Sequence, residues 1–324
     1  MDKRVFGADL LLLLTAAVWG FGFVAQRSGM QYVGPFTFNA VRFPLGSLSL
    51  LPLIAWRRRF RPDEKSGGPI FFSSFLAGTC LFIAVAFQQL GIMFTTAGNA
   101  GFITGLYVIF TPIFGIFLGR RTGKATWIGA ILTFTGLYFL SSSGPLKDIN
   151  IGDIIIAVSA VFWAFHVLVI DRLVQKTDPI ELSSGQFAFA GLYSLIAAFL
   201  VEPFLSSWLS SMSSSALVNW NSFPALISGL LSAEIPFTLV SGAIIPILYG
   251  AFGAAGIGYT LQVVAQQYAP PAHATIILCL EGFFAAVGGI MLLHEPAGIR
   301  TIIGFAFMLC GMLVSQWELI GRRS

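Results

Sequence analysis

The chain has 324 residues, of which 56% are hydrophobic and only 10% charged, with a mean hydropathy of +0.85 and a formal net charge of +4. A soluble domain carries roughly a quarter charged residues, so a water-soluble globular protein is excluded. The pI of about 9.1 invites a nucleic-acid partner, but no polar domain exists to carry a basic surface, so none is expected.

Crossing ~30 Å of hydrocarbon takes about 20 apolar residues in a helix. Ten segments qualify, roughly 8–26, 36–56, 70–93, 97–119, 124–142, 152–170, 184–201, 242–267, 271–293 and 297–317. Isolated strands cannot satisfy their backbone in lipid, so an all-α integral membrane protein with ten transmembrane helices is expected. The joints carry Gly34-Pro35, Ser143-Gly144-Pro145, Thr177-Asp178-Pro179 and Pro270-Pro271. The first segment lacks a small-residue cleavage site and reads as a retained helix, not a signal peptide.

With ten spans both termini share one side. Placing them in the cytoplasm puts 14 basic residues inside and only Arg27, Lys147 and Arg300 outside, with Arg42 within a span. That bias predicts cytoplasmic termini and explains the pI; a bacterial inner membrane is the expected location. Residues 202–241 contain a serine run and an apolar stretch broken by Glu234 and Pro236, without Lys or Arg. They read as an external insertion with a short interfacial helix.

The sequence also repeats itself. Shifted by 144 positions, Asp9 meets Asp153, Trp19 meets Trp163, Pro35 meets Pro179 and Arg42 meets Gln186. Further on the shift is 175, where Ala97 meets Ala272, Leu118 meets Leu293, Gly129 meets Gly304 and Gly136 meets Gly311. The second copy therefore holds a 31-residue insertion. Five spans per copy force the copies into opposite orientations, giving inverted five-helix repeats over 8–142 and 152–317, an architecture of secondary transporters.

Ionisable and polar side chains in hydrocarbon tend to face a cavity and mark a pathway. Glu281 falls ten residues into the ninth segment, ~15 Å deep at 1.5 Å per residue, and its counterpart is Leu106. It is the candidate proton-coupling group; the alternative is a structural hydrogen-bonding hub. Arg42 suits a substrate anion or Glu281 itself, or it snorkels to the outer headgroups. Gln186 occupies the mirror position. Trp19 and Trp163, each ten residues past an aspartate, reach mid-depth and suit cavity walls. Asp9 and Asp153 read as helix N-caps. His166 sits three residues after Trp163, and a core role competes with a proton relay. Gln88, Asn99 and Gln262 add amides at or near the cavity. Substrate-binding candidates are thus Trp19, Arg42, Gln88, Asn99, Trp163, His166, Gln186, Gln262 and Glu281. His273 and His294 lie near helix ends and are expected to reach headgroups or solvent.

Cys80, Cys279 and Cys310 lie in apolar stretches without metal-ligand spacing. Gly123-Lys124-Ala125 fails the phosphate-loop pattern, and neither an HExxH motif nor a Ser-His-Asp arrangement is seen. No cofactor, metal or enzymatic activity is expected. The partners are a small-molecule substrate and the lipid bilayer, in a monomer or homodimer.

Trp19-Gly20, Pro35 with Arg42, Gly129/Gly136, Ala269-Pro270-Pro271-Ala272 leading into Leu280-Glu281, and His294-Glu295-Pro296 resemble the EamA-type permeases of the drug/metabolite transporter superfamily. The resemblance covers both repeats. It implies a substrate cavity between the first four helices of each half, alternating access, and transport of amino acids, other metabolites or drug-like molecules, commonly outward. It also places Trp19, Arg42, Trp163 and Glu281 at cavity-facing or family-typical positions. Arg120-Arg121, His294 and the insertion depart from the family's pattern. A membrane-embedded enzyme using Glu281 with His166, or a scaffold with Trp19 packed on Trp163 in a filled core, are the alternatives.

Overall fold

The computed structural model describes residues 3–60, 69–120, 122–140, 151–205, 207, 237–293 and 298–321, and among these it is helical with no strand. In chain order the helices are α1 (Lys3–Gly29), α2 (Pro35–Phe60), α3 (Ile70–Gly91), α4 (Ala97–Thr104), α5 (Tyr107–Phe117), α6 (Lys124–Leu140), α7 (Ile151–Leu173) and α8 (Pro179–Leu200). Then come α9 (Phe237–Leu248), a π-helix (Tyr249–Tyr259), α10 (Thr260–Ala265), α11 (Pro271–Leu278), α12 (Leu280–Leu293) and α13 (Ile299–Gly321).

Eight of the ten predicted segments are long and apolar enough to cross a membrane. The 17-residue α6 and the apolar stretch Ile299–Ser315 of α13 fall short of that length. Most of the predicted insertion, together with Lys147 and His294, lies outside the described residues.

The outward faces are apolar. Phe71, Phe117, Leu200 and Ile245 are among the most exposed side chains, while Gln89, Gln186, Gln262 and His166 are fully enclosed. This reversal of the soluble pattern is what hydrocarbon surroundings require.

Helices cross where small residues let backbones meet. A Cβ on Gly129 would fall 2.7 Å from the Gly311 carbonyl oxygen, and one on Gly136 would fall 2.6 Å from that of Gly304. Helices α6 and α13 are therefore antiparallel and almost touching. Helix α2 crosses α8 at Ser47 and Ser184, where Ser47 Oγ donates to the Ser184 carbonyl at 2.8 Å. The ring of Pro44, which interrupts the bonding of α2, fits against Gly191 of α8. Helix α3 packs against α7 and α8, and α1 packs against the π-helix and α12.

Three spans are not uniform α-helices. The fourth breaks at Gly105-Leu106, between α4 and α5, and another breaks at Cys279, between α11 and α12. The breaks touch, with Cys279 Sγ donating to the Gly105 carbonyl oxygen at 3.3 Å. The third irregularity is the 11-residue π-helix. π-Bonding is rare and frequently functional.

Two aspartates expected to be helix caps are not. Asp9 lies inside α1, because the helix begins at Lys3, and it bonds His273. Asp153 is the third residue of α7 and accepts from Thr95 Oγ1 at 2.8 Å. Asp178 does cap: its side chain accepts from the Ile180 and Glu181 amides, with Pro179 pre-set for the first turn of α8.

Candidate functional site

A cavity lies midway along the bundle, bounded by both predicted halves. Helix α1 presents Trp19, Phe23 and Gln26, spaced to share one face. Trp163 and Val167 of α7 and Ala254 and Tyr259 of the π-helix add to the wall. Arg42, Gln88, Thr104, Tyr107, Gln262 and Glu281 supply the polar wall.

The π-helix is tied to α1 by two bonds, Trp19 Nε1 donating to the Ala254 carbonyl at 3.2 Å and Tyr249 Oη to that of Val18 at 2.8 Å. Thr15 Oγ1, which lies 2.9 Å from the Leu11 carbonyl of its own helix, also approaches that of Gly258 at 3.2 Å. π-Bonding widens the helix and displaces carbonyls from their usual partners, leaving them for donors on α1. Gly258 makes the approach possible, since a Cβ there would lie 2.6 Å from Trp19 Nε1. Tyr259, carried at the end of this segment, has its ring centre 4.5 Å from that of Trp19 and 5.9 Å from that of Trp163. The two tryptophans are 6.2 Å apart.

The aromatic cluster leaves little room. The space open to the centre of a water molecule is about 30 Å³. About 10–15 Å³ on this measure holds one water, so an organic solute needs the cavity to widen. The paired tryptophans are in contact, as a scaffold would have them, but the core beside them is not filled.

Charge faces this space from two sides. Arg42 is 2% exposed, which removes the snorkelling alternative. Its guanidinium carbon lies 4.7 Å from the Phe43 ring centre and 5.3 Å from that of Phe38, while Nε and Nη2 have no hydrogen-bond partner. Gly250 makes room for its stem. Glu281 is 3% exposed and stands in the first turn of α12, just past the break at Cys279, with Oε1 unpartnered. The start of a half-helix carries positive partial charge, which favours an anion there. Trp163 Nε1, Gln26 Oε1 and Gln262 Oε1 also lack partners. Buried polar atoms are nearly always bonded, so this wall is built for a polar guest.

Six of the nine candidates therefore line the cavity: Trp19, Arg42, Gln88, Trp163, Gln262 and Glu281. Gln88 donates to Thr104 Oγ1 at 3.1 Å, and Gln262 to Gln266 Oε1 at 3.0 Å. His166 and Gln186 bond each other at 2.9 Å, outside the lining but with the His166 ring 5.6 Å from Trp163. Asn99 sits in the first turn of α4, its backbone N–H donating to the capping Thr96 Oγ1, and is not among the lining residues. Tyr259, Tyr107, Thr104 and Gln26 were not singled out by the sequence; the glycine run before Tyr259 was the one available signal.

The Ser-His-Asp arrangement not seen in the sequence exists spatially as Ser315, His273 and Asp9, but at one end of the bundle, away from this cavity. His273 is buried there and does not reach headgroups or solvent.

Comparison with known proteins places this geometry. The EamA-like transporter family matches residues 6–142 and 203–316. An uncharacterized transporter of Archaeoglobus fulgidus is 32% identical over 97% of this chain and 87% of its own. YoaV of Bacillus subtilis, also named an uncharacterized transporter, is 20% identical over 96% of this chain and 97% of its own. Human solute carrier family 35 member F6 is 24% identical over 62% of each chain. A solved crystal structure, 16% identical, shares the fold with a TM-score of 0.72 over 98% of this chain and 99% of its own. The chain is an integral membrane protein and belongs to the EamA-like transporter family.

Proposed function

We propose that this protein exports small zwitterionic organic solutes, such as amino acids or related metabolites, by alternating access. The observation that carries the reading is a cavity in which Arg42 Nε and Nη2 and Glu281 Oε1 lack hydrogen-bond partners beside an aromatic cage. A zwitterion offers a carboxylate to Arg42 and an ammonium to Glu281 and the ring faces of Trp19 and Tyr259. The amides of Gln88 and Gln262 orient it. His166 and Gln186 position Trp163 from behind.

The small volume fits an occluded state between openings to the two sides. The antiparallel crossing of Gly129 with Gly311 and Gly136 with Gly304, and breaks at Gly105-Leu106 and Cys279 that fall within two residues of each other under the repeat shift, support ten spans in two inverted repeats, 8–142 and 152–317. The shorter α6 and α13 then complete the set. The basic residues at one end support cytoplasmic termini in an inner membrane. Glu281 is the group through which a proton gradient acts.

Flux in proteoliposomes tests this. Radiolabelled amino acids should move with wild-type protein and respond to an imposed pH gradient, and Glu281→Gln should lose that response. Unchanged gradient dependence in Glu281→Gln discards coupling through Glu281. Flux of cationic dyes or nucleosides with none for amino acids discards the zwitterion reading.

A further inference from the structure

Asp9, His273 and Ser315 form a buried chain of side chains where α1 and α11 begin and α13 approaches its end. They are 8%, 2% and 0% exposed. His273 Nε2 lies 2.9 Å from Asp9 Oδ1, and its Nδ1 lies 3.3 Å from Ser315 Oγ. Ser315 Oγ is 2.8 Å from the Met312 carbonyl oxygen.

Counting protons identifies the state that completes this chain. A carbonyl oxygen only accepts, so the Ser315 hydrogen goes to Met312. Nδ1 must then donate to Ser315 Oγ. The contact between Nε2 and Asp9 needs one more proton, on the ring or on the carboxyl. Three bonds require three protons, whereas neutral imidazole, carboxylate and hydroxyl supply two. With the extra proton the His–Asp pair is neutral overall and every bond is made. Without it, one bond is lost and a net negative charge stays buried, which a low-dielectric site penalises.

We propose that Asp9, His273 and Ser315 make up a proton-binding site, separate from the central cavity, that clasps α1 to α11 and α13 when loaded and loosens when the proton leaves. Asp9 belongs to one predicted repeat and His273 and Ser315 to the other. Widening the cavity toward this end must part them. At the opposite end the matching contact is Thr95 with Asp153, whose donor is a hydroxyl and not an ionisable ring. The residue that the repeat aligns with His273 is Gly98. Among the described residues only one end thus carries an imidazole in its clasp.

Neighbouring elements bring other charges to this end: Arg4 on α1, Lys124 opening α6 and Arg120 past α5. Arg120 is paired with Asp171 of α7.

The gating role rests on the transporter reading; the proton site itself does not, and neither readout below requires a substrate. The first is imidazole ¹⁵N NMR of histidine-labelled protein, with His273 assigned through His273→Gln. The doubly protonated ring, or the Nδ1–H ring facing a protonated Asp9, is expected while the clasp is closed. A single-proton Nε2–H ring at every pH overturns the proposal. The second is electron–electron distance measurement between spin labels at Leu10→Cys and Leu313→Cys, both outward-facing, with the three native cysteines replaced by serine. Raising the pH from about 5 to about 9 should shift the distances to longer values. The pH response should vanish in His273→Gln, and Ser315→Ala, a milder change, should retain it with its midpoint displaced. A pH response that survives in folded His273→Gln overturns the assignment, as does a wild-type distance that ignores pH. Loss of flux with both readouts intact would instead count against the transport reading.

Discussion

Arg42 and Glu281 face one cavity from different predicted repeats, yet they do not ion-pair with each other. Each keeps an unbonded polar atom in a space otherwise closed by aromatic rings. A structural ion pair would have satisfied both, so the separation leaves each free for a guest.

Keeping Arg42 unpaired costs stability. Burying an ion carries a penalty of several kcal/mol, here offset by the faces of Phe38 and Phe43. Arg42→Met keeps the length and removes the charge. It should raise the thermal midpoint in detergent and lower amino-acid flux at least about tenfold, since a charge-assisted bond contributes about 1.5–3 kcal/mol. A lower midpoint with normal flux would make Arg42 a structural residue.

At Gly129 and Gly136 the contact between α6 and α13 leaves no room for a side chain. Gly136→Val would drive atoms into the Gly304 carbonyl and Met308, and should destabilise by about 1–3 kcal/mol. Gly7 has open space around it, so Gly7→Ala should be neutral or stabilise by up to about 1 kcal/mol. Thermal unfolding of the two variants beside wild type checks the contrast.

Glu202, just beyond α8, closes the start of α2. Its carboxylate accepts from the Phe36 and Thr37 amides at 3.0 and 2.8 Å and from Thr37 Oγ1 at 2.7 Å. Gly34 leaves the space it occupies. Burial pushes its pKa above the ordinary 4.5, against the pull of these donors. A raised carboxyl pKa means the folded state binds more protons than the unfolded one, so this group's contribution falls as pH rises from about 4.5 through the raised value. Glu202→Gln should flatten that part of the curve of melting midpoint against pH; an unchanged slope assigns it elsewhere.

Much of this was legible in the sequence, and the losses have physical causes. Hydropathy located the eight helices long enough to cross a membrane, and equal spacing from Asp9 and Asp153 brought Trp19 and Trp163 together. Depth put Glu281 in the cavity, whereas for Arg42 it left snorkelling open until burial decided. The π-helix was not legible, because Gly250, Gly253, Gly256 and Gly258 signal close packing whichever carbonyls are bonded. The pairing of His166 with Gln186, and of His273 with Asp9, joins different helices, and no spacing along one chain encodes it. Asp9 read as a cap because the apolar segment starts near it, whereas the helix begins a turn and a half earlier at Lys3.

The bond from Trp19 to the Ala254 carbonyl gives a further handle on the π-helix. Trp19→Phe keeps a ring but loses the donor. A loss of about 0.5–1.5 kcal/mol is expected, with faster hydrogen exchange confined to residues 249–259. Unchanged exchange there would show that the bond does not hold the segment.

The most direct measurement uses one thiol at the cavity wall. Val167→Cys, with the native cysteines replaced by serine, is exposed to a membrane-impermeant maleimide in right-side-out and in inverted vesicles. Alternating access predicts labelling from both sides, slowed by a transported amino acid. Labelling from one side alone, or from neither, would contradict it.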